Sequence, residues 1–177
     1  MSQIVREAPQ GAEIEFQGLL VEARRYEDSK GQAQRVCLHK GAAAVLALWQ
    51  GKICLVCQYR YAQNRECLEI PAGKLDPGED PCQAARRELR EETGLEAGQL
   101  ILLAALCSSP DVLAETLYLY WAQDLRQAEA RLDEGEFLDV EAMRPKKLAE
   151  LIRLGEIRDA KTLAALEIAR RRGLLSW

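Results

Sequence analysis

The chain has 177 residues, of which 48% are hydrophobic and 29% are charged, a composition typical of one globular domain. Its 24 basic and 28 acidic residues give a net charge of -4, which argues against nucleic-acid binding driven by counterion release. No apolar run reaches the roughly 20 residues of a membrane span, and the N-terminus lacks the apolar core of a signal peptide. We therefore expect a cytoplasmic protein that binds neither nucleic acid nor a membrane.

The N-terminal part has an extended pattern from Ile14 to about Tyr26 and again from about Gln34 to His39. The turn-like stretch EDSKGQ separates the two segments. This pattern predicts an antiparallel β extension over residues 1–41, ahead of a main domain formed by residues 42–177.

Two apolar runs, Ala42–Trp49 and Lys52–Tyr59, are separated only by Gln50-Gly51 and predict a hairpin of buried strands. The second run carries Cys54 and Cys57, the one closely spaced pair among six cysteines. Strand residues three apart point to opposite faces, so we expect packed, reduced thiols and no zinc site. A short strand, Leu68–Ile70, then leads into a loop.

The next element has a signal at each end. Asp80 is a good N-cap, Pro81 suits the first helical turn, and Gly94 is placed to end a helix in the left-handed conformation. The predicted helix is Pro81–Thr93.

Strands are expected at Ile101–Cys107 and Thr116–Ala122, on either side of the loop SSPDVLAE. Helices follow from about Pro145, of which Asp159–Arg172 is strongly amphipathic. Because the chain is mostly β at first and helical at the end, it predicts an α+β layered fold.

The predicted helix carries Glu88, Glu91 and Glu92 on one flank, where like charges repel by about 0.2 to 0.5 kcal/mol per pair. A bound cation explains this crowding, and Mg²⁺ prefers such oxygen ligands. Arg87 lies where its guanidinium could hold one of these glutamates in place. A solvated helix laced with ion pairs is the simpler alternative.

The spacing of the whole segment resembles the Nudix box: Gly73, Glu79, Arg87-Glu88-Leu89, Glu91-Glu92 and Gly94-Leu95. The resemblance implies a mixed sheet between helices and hydrolysis of a nucleoside diphosphate linked to another group. It also implies Mg²⁺, or Mn²⁺, bound by the Ala72 carbonyl and by the three helical glutamates, with Arg87 and Glu91 in the catalytic machinery.

Further segments, LEIPAGKLDPGE, VCQYR, HKGAAAV and GEIRDAKTLAAL, together with Pro110, are similar to those of ADP-ribose pyrophosphatases. That resemblance implies cleavage of ADP-ribose to AMP and ribose 5-phosphate. Departures at Leu38, Lys40 and DVLAE leave the substrate open. The alternatives are another nucleoside diphosphate sugar, such as GDP-mannose, or a module that binds a nucleotide without cleaving it.

The same resemblance makes Glu115 the candidate general base for the attacking water, with Asp111 as the second choice. Arg60 corresponds to an arginine that contacts the diphosphate, although a surface ion pair explains it almost as well. Glu69 would contact the sugar or simply face solvent.

The candidates to stack on adenine are Phe16, Tyr26 and Trp49, although an aromatic residue in a strand more often packs in a core. His39 is interpreted as a turn or packing residue and not as a catalytic one. In relatives the N-terminal extension crosses to a second subunit and completes the pocket, so the resemblance implies a twofold homodimer.

Overall fold

The computed structural model describes residues 13–18, 21–27, 32–129 and 138–177. In chain order the elements are β1 (Glu13–Gln17), β2 (Val21–Glu27), β3 (Ala33–His39), β4 (Ala42–Trp49), β5 (Lys52–Arg60), a 3₁₀ turn (Tyr61–Gln63), β6 (Arg65–Glu69), β7 (Ala72–Lys74), α1 (Pro81–Thr93), β8 (Leu95–Leu106), β9 (Leu113–Ala114), β10 (Leu117–Gln127), β11 (Asp139–Met143), α2 (Pro145–Arg153) and α3 (Ala160–Arg171).

The larger sheet has the strand order β11-β5-β4-β10-β8, with β6 paired to β5 and β7 paired to β4. Strands β4 and β10 are parallel, and the other pairs are antiparallel. The sheet is therefore mixed, and the predicted α+β class is confirmed.

Strand β4 is apolar on both faces because helices cover both sides of the sheet. Ala44 and Leu46 belong to a core that includes Leu148 of α2 and Leu166 of α3. The alternate residues of β4 belong to a second core with α1. Each fully buried leucine contributes about 1.5 to 3 kcal/mol, so both layers are held by burial of apolar surface.

The predicted hairpin and the predicted helix have the expected ends. Gln50 and Gly51 have φ values of 50° and 75°, as the tight two-residue hairpin turn requires. The Asp80 carboxylate accepts hydrogen bonds from two backbone N–H groups of the first helical turn, at 2.9 and 3.2 Å. Gly94 ends α1 with a φ of 66°.

Other boundaries differ from the prediction. The stretch taken as one run from Ile14 to Tyr26 is two antiparallel strands, β1 and β2, and most of EDSKGQ lies outside the described residues. Strands β7 and β11 were not predicted because three residues beside a proline, or a largely exposed edge strand, give no clear apolar alternation. Strands β8 and β10 are longer than predicted because their polar ends continue the ladder between them.

The N-terminal strands form a second sheet in the order β1-β2-β3-β9. Strand β9 comes from the predicted loop SSPDVLAE and runs parallel to β3. The N-terminal extension is therefore joined by backbone pairing to the loop that carries Glu115. All six cysteines are free thiols. Of the helices within the described ranges, none has both the length and the apolar character needed to cross a bilayer.

Candidate functional site

A cleft of about 780 Å³ lies where the two sheets, α1 and the start of α3 meet. It brings together six of the residues predicted for the site: Arg60, Ala72, Arg87, Glu88, Glu91 and Glu115. The chain separates these residues by up to 55 positions, so only the fold places them around one space. The predicted Glu69, Glu92 and Phe16 are not among the residues that line it.

Arg87 is the hub of the helical carboxylates. Its guanidinium donates to both oxygens of Glu79 at 3.0 Å, and its Nη1 donates to Glu88 at 2.6 Å and to Glu91 at 3.1 Å. Chiefly through the hydrogen bonds to Glu79, these contacts raise the pKa of Arg87 above its usual range. The same hydrogen bonds hold the pKa of Glu79 below its ordinary value. Arg87 therefore offsets the repulsion among neighbouring carboxylates.

Glu88 and Glu92 are buried, with exposed fractions of 8% and 3%. Glu92 accepts a hydrogen bond of 3.0 Å from the backbone N–H of Ala72, which fixes β7 against α1. Glu88 fits against the backbone of Gly73 so closely that a Cβ at that position would lie 1.8 Å from Glu88 Oε1. The first glycine of the predicted motif thus provides the space that the Glu88 carboxylate fills.

The donor set suits a hard divalent cation. Glu88 and Glu91 line the cleft beside Ala72, and oxygen is the ligand that Mg²⁺ and Mn²⁺ prefer. Within the described ranges, no three acidic, histidine or cysteine side chains already converge as they would around an ion. The reason is visible at α1, where Glu88 and Glu91 turn toward Arg87 and Glu92 turns toward the Ala72 N–H.

A second charged group joins Glu69 to two residues that line the cleft, Arg60 and Lys161. Glu69 is 3% exposed and accepts two hydrogen bonds of 2.7 Å from Arg60 and a further one from Lys161. Burial pushes the pKa of Glu69 upward, but the bonds and charges of Arg60 and Lys161 outweigh it and lower this pKa below the ordinary value. The alternative that Glu69 faces solvent is wrong, since β6 turns it toward α3.

Lys161 and Asp159 also line the cleft and were not singled out from the sequence. They form an ion pair of 3.0 Å at the start of α3, where Asp159 also caps the helix by accepting from the Thr162 N–H at 2.9 Å. Both lie in the segment GEIRDAKTLAAL, so that resemblance was the signal that could have pointed to them.

Glu115 directly follows β9 and is held at both carboxylate oxygens. One oxygen accepts from the Ser108 hydroxyl, and the other lies 2.9 Å from Nδ1 of His39. The second choice for the base, Asp111, accepts from Ser109 at 3.1 Å and is not among the lining residues. Geometry therefore favours Glu115 as the acid that faces the cleft. The contact with His39 was not foreseen from the sequence.

Phe16 lies on β1, the edge of the N-terminal sheet, and is 57% exposed. Within this single chain it belongs to no hydrophobic core among the described residues and does not reach the cleft. The alternative that Phe16 is a core residue is therefore wrong for the isolated chain.

The sequence matches a known protein family and several known proteins. Residues 38–166 match the model of the NUDIX domain. The ADP-ribose pyrophosphatase of Bacillus subtilis (strain 168) is 38% identical over 152 residues, which cover 84% of this chain and 82% of that protein. The methanol dehydrogenase activator of Bacillus methanolicus is 40% identical over 137 residues, which cover 76% of this chain and 74% of that protein.

A solved structure has the same fold. The crystal structure described as an ADP compounds hydrolase superposes with a TM-score of 0.77 and 24% sequence identity, covering 94% of this chain and 95% of that one. The similarity therefore extends beyond the motif to both sheets and the helices around them.

Proposed function

This chain belongs to the NUDIX family, and from that premise we propose that it hydrolyses the diphosphate bond of ADP-ribose to AMP and ribose 5-phosphate. The observation that carries the proposal is the arrangement of the cleft. The carboxylates of α1, the basic side chains of β5 and α3, and the acid after β9 all line one space: Glu88, Glu91, Arg60, Lys161 and Glu115. A diphosphate needs both oxygen ligands for its counterion and cationic donors for its own oxygens.

We assign Ala72, Glu88, Glu91 and Glu92 to a divalent metal, with Mg²⁺ as the expected ion and Mn²⁺ as a substitute. When bound, such an ion neutralises diphosphate oxygens and makes water a better nucleophile. Arg87 then acts by orienting Glu88 and Glu91, because its guanidinium donates a hydrogen bond to each of these carboxylates. Glu92 accepts a hydrogen bond from the Ala72 N–H of β7, and this contact helps to position the Ala72 carbonyl.

The reaction needs a group that accepts a proton from water and a group that holds the diphosphate in place. Glu115 takes a proton from water as the water oxygen bonds to phosphorus, and the bridging P–O bond breaks with its electron pair on the departing phosphate. Arg60 is held in place by Glu69 and directs its remaining donors to the diphosphate. Glu69 already accepts three hydrogen bonds, which leaves about one of the roughly four lone-pair positions of its carboxylate for a sugar hydroxyl.

The direct test is turnover of ADP-ribose by purified protein with Mg²⁺, with and without EDTA. We expect AMP and ribose 5-phosphate in equal amounts, and no turnover with EDTA. Glu92→Gln should lower kcat by a factor of about 100 or more, by analogy with the loss of one preorganised charge at a reacting centre. Glu96→Gln is the matched control, since Glu96 pairs with Arg90 and Arg126 and does not line the cleft. Metal-independent turnover would reject the proposal.

The substrate alternative is another nucleoside diphosphate sugar. GDP-mannose pyrophosphatases of Escherichia coli are also relatives, at 31% identity, which supports this alternative less than the 38% identity supports ADP-ribose. A panel of ADP-ribose, GDP-mannose and dinucleotides ranked by kcat/KM separates the two. Tight binding of ADP-ribose without any cleavage would instead indicate a nucleotide-binding module.

We further propose a homodimer formed through the N-terminal sheet, with Phe16 reaching the partner's cleft to stack on the base. All five residues of β1 are exposed, and Ile14 and Phe16 expose 55% and 57% of their surface. Such apolar exposure is unfavourable on β1, which is an outer strand of its sheet among the described residues. Light scattering after gel filtration should give twice the monomer mass. Phe16→Glu should give monomers, whereas Val140→Glu, at an equally exposed apolar residue of β11, should leave the dimer intact.

A further inference from the structure

His39 is the only histidine of the chain, and its ring nitrogen Nδ1 lies between two groups with opposite demands. The backbone N–H of Gly41 points at it from 3.1 Å, and the Glu115 carboxylate lies 2.9 Å away. A ring nitrogen either carries a proton and donates, or carries a lone pair and accepts. Nδ1 therefore cannot satisfy both neighbours at once.

The fold makes this contact by strand register. Strands β3 and β9 are parallel, with Cys37 opposite Leu113 and Leu38 opposite Ala114. The next residue of β3 is His39 and the residue directly after β9 is Glu115, so the pairing of the two strands brings these side chains together. The N–H of Cys37 also donates to the Val112 carbonyl at 2.8 Å, and this bond attaches to β3 the residue that directly precedes β9.

Two lone pairs facing each other at 2.9 Å would repel, so one proton must lie between Nδ1 and Glu115. A hydrogen bond to an ionised carboxylate is roughly twice as strong as one between neutral groups. A proton on Nδ1 is therefore more favourable than a lone pair there, although the Gly41 N–H then loses Nδ1 as its hydrogen-bond acceptor. Glu115 then accepts from two donors, Nδ1–H and the Ser108 hydroxyl.

We propose that His39 is a positioning residue, whose Nδ1–H works together with the Ser108 hydroxyl to aim the Glu115 carboxylate into the cleft. A carboxylate has about four lone-pair positions, so two donors leave the others free to take a proton from water. The role rests on the proposed function, because it gives His39 its effect only through the base. In this proposal β9 has a functional role, because its pairing with β3 sets the distance between the side chains of His39 and Glu115.

Kinetics of four variants test this role. His39→Ala should lower kcat for ADP-ribose by about 10- to 100-fold with little change in KM, which is the size expected when a reacting group is misplaced. His39→Asn should recover most of the activity because the Asn amide nitrogen lies near the position of Nδ1. His39→Gln, whose amide lies near the other ring nitrogen, should not. Cys37→Ala, on the same strand, is the control and should retain full activity.

A double-mutant cycle asks whether His39 acts through Glu115. In a Glu115→Gln background, which by itself should slow catalysis with metal binding retained, His39→Ala should cause no further loss of kcat. An equal fold-loss in both backgrounds would overturn the proposal, as would full activity of His39→Ala in the otherwise native enzyme. Failure of the wild-type protein to cleave ADP-ribose would instead count against the proposed function.

The tautomer of His39 can be measured without any turnover. Because the chain has one histidine, imidazole ¹⁵N signals belong to it alone. We expect the proton on Nδ1 in the wild-type protein. In Glu115→Gln, the new amide can donate to Nδ1, so the proton should move to Nε2. A wild-type ring protonated only at Nε2 would overturn the proposal, whatever the activity.

Discussion

Like charges within one turn of a helix repel, yet α1 holds Glu88, Glu91 and Glu92 together. Each is given a specific partner. Arg87 bonds two of them, and the Ala72 N–H bonds the third. A surface helix stabilised by ion pairs would leave such side chains in solvent, whereas Glu88 and Glu92 are buried. Burial of charged groups costs free energy, so their retention here points to a role other than stability.

Gly73→Ala tests that role at the level of one atom. The new Cβ would overlap the Glu88 carboxylate, which is the mobile end of a side chain and can move aside. We therefore expect a small change in the free energy of unfolding but a loss of kcat/KM of about 10- to 100-fold, as for displaced groups at a metal site. Thermal unfolding and ADP-ribose turnover check the two halves. A variant with full activity would show that the position of Glu88 is not critical.

At the scale of elements, short-range signals were the ones that could be predicted. The tight turn at Gln50-Gly51 and both ends of α1 follow from local backbone chemistry, so the sequence located them correctly. Strand β7 could not be found in this way, because its three residues are held by pairing with β4, more than 25 residues earlier. Strand β9 was also not predicted, because it is held by pairing with β3, which lies far away in the chain.

The N-cap of α1 gives a prediction at this scale. Asp80→Ala removes the acceptor for two N–H groups and should lower the free energy of unfolding by about 1 kcal/mol. Asp80→Asn keeps an acceptor oxygen and is the matched control, with a much smaller change expected. Urea unfolding monitored by circular dichroism measures both. Since Arg87 and Glu88 lie beyond the first turn, kcat should change little in either variant.

At the scale of the whole molecule, the site is a product of long-range contacts. The Nudix-like spacing predicted the residues of α1, since they share one helix, and the resemblance singled out Glu115 and Arg60. It could not predict that Glu69 joins Arg60 of β5 to Lys161 of α3, because the sheet and the C-terminal helix meet only in three dimensions. The pairing of His39 with Glu115 was missed for the same reason.

The link through Glu69 predicts a pH-dependent stability. Glu69 has a lowered pKa in the folded state, because Arg60 and Lys161 outweigh the effect of burial. A group with a depressed folded pKa stabilises the protein above its unfolded pKa, near the ordinary value of 4.5, and this stabilisation is lost as pH falls through the folded value. Glu69→Gln should therefore lower the free energy of unfolding by about 1.5 to 3 kcal/mol at neutral pH, the usual size for a hydrogen bond to a charged group.

The difference between Glu69→Gln and the wild type should shrink as the pH falls well below 4.5, because Glu69 is then protonated in both folded and unfolded wild-type chains. Glu167→Gln is the matched control, since Glu167 also pairs with two basic residues, Arg170 and Arg171, but at the surface. Exposed ion pairs contribute little, so its unfolding midpoint should hardly move at any pH. Urea unfolding midpoints should be measured from neutral pH to well below 4.5. If Glu69→Gln were equally destabilised at every pH, its effect would come from packing and not from the charge of Glu69, which would contradict this prediction.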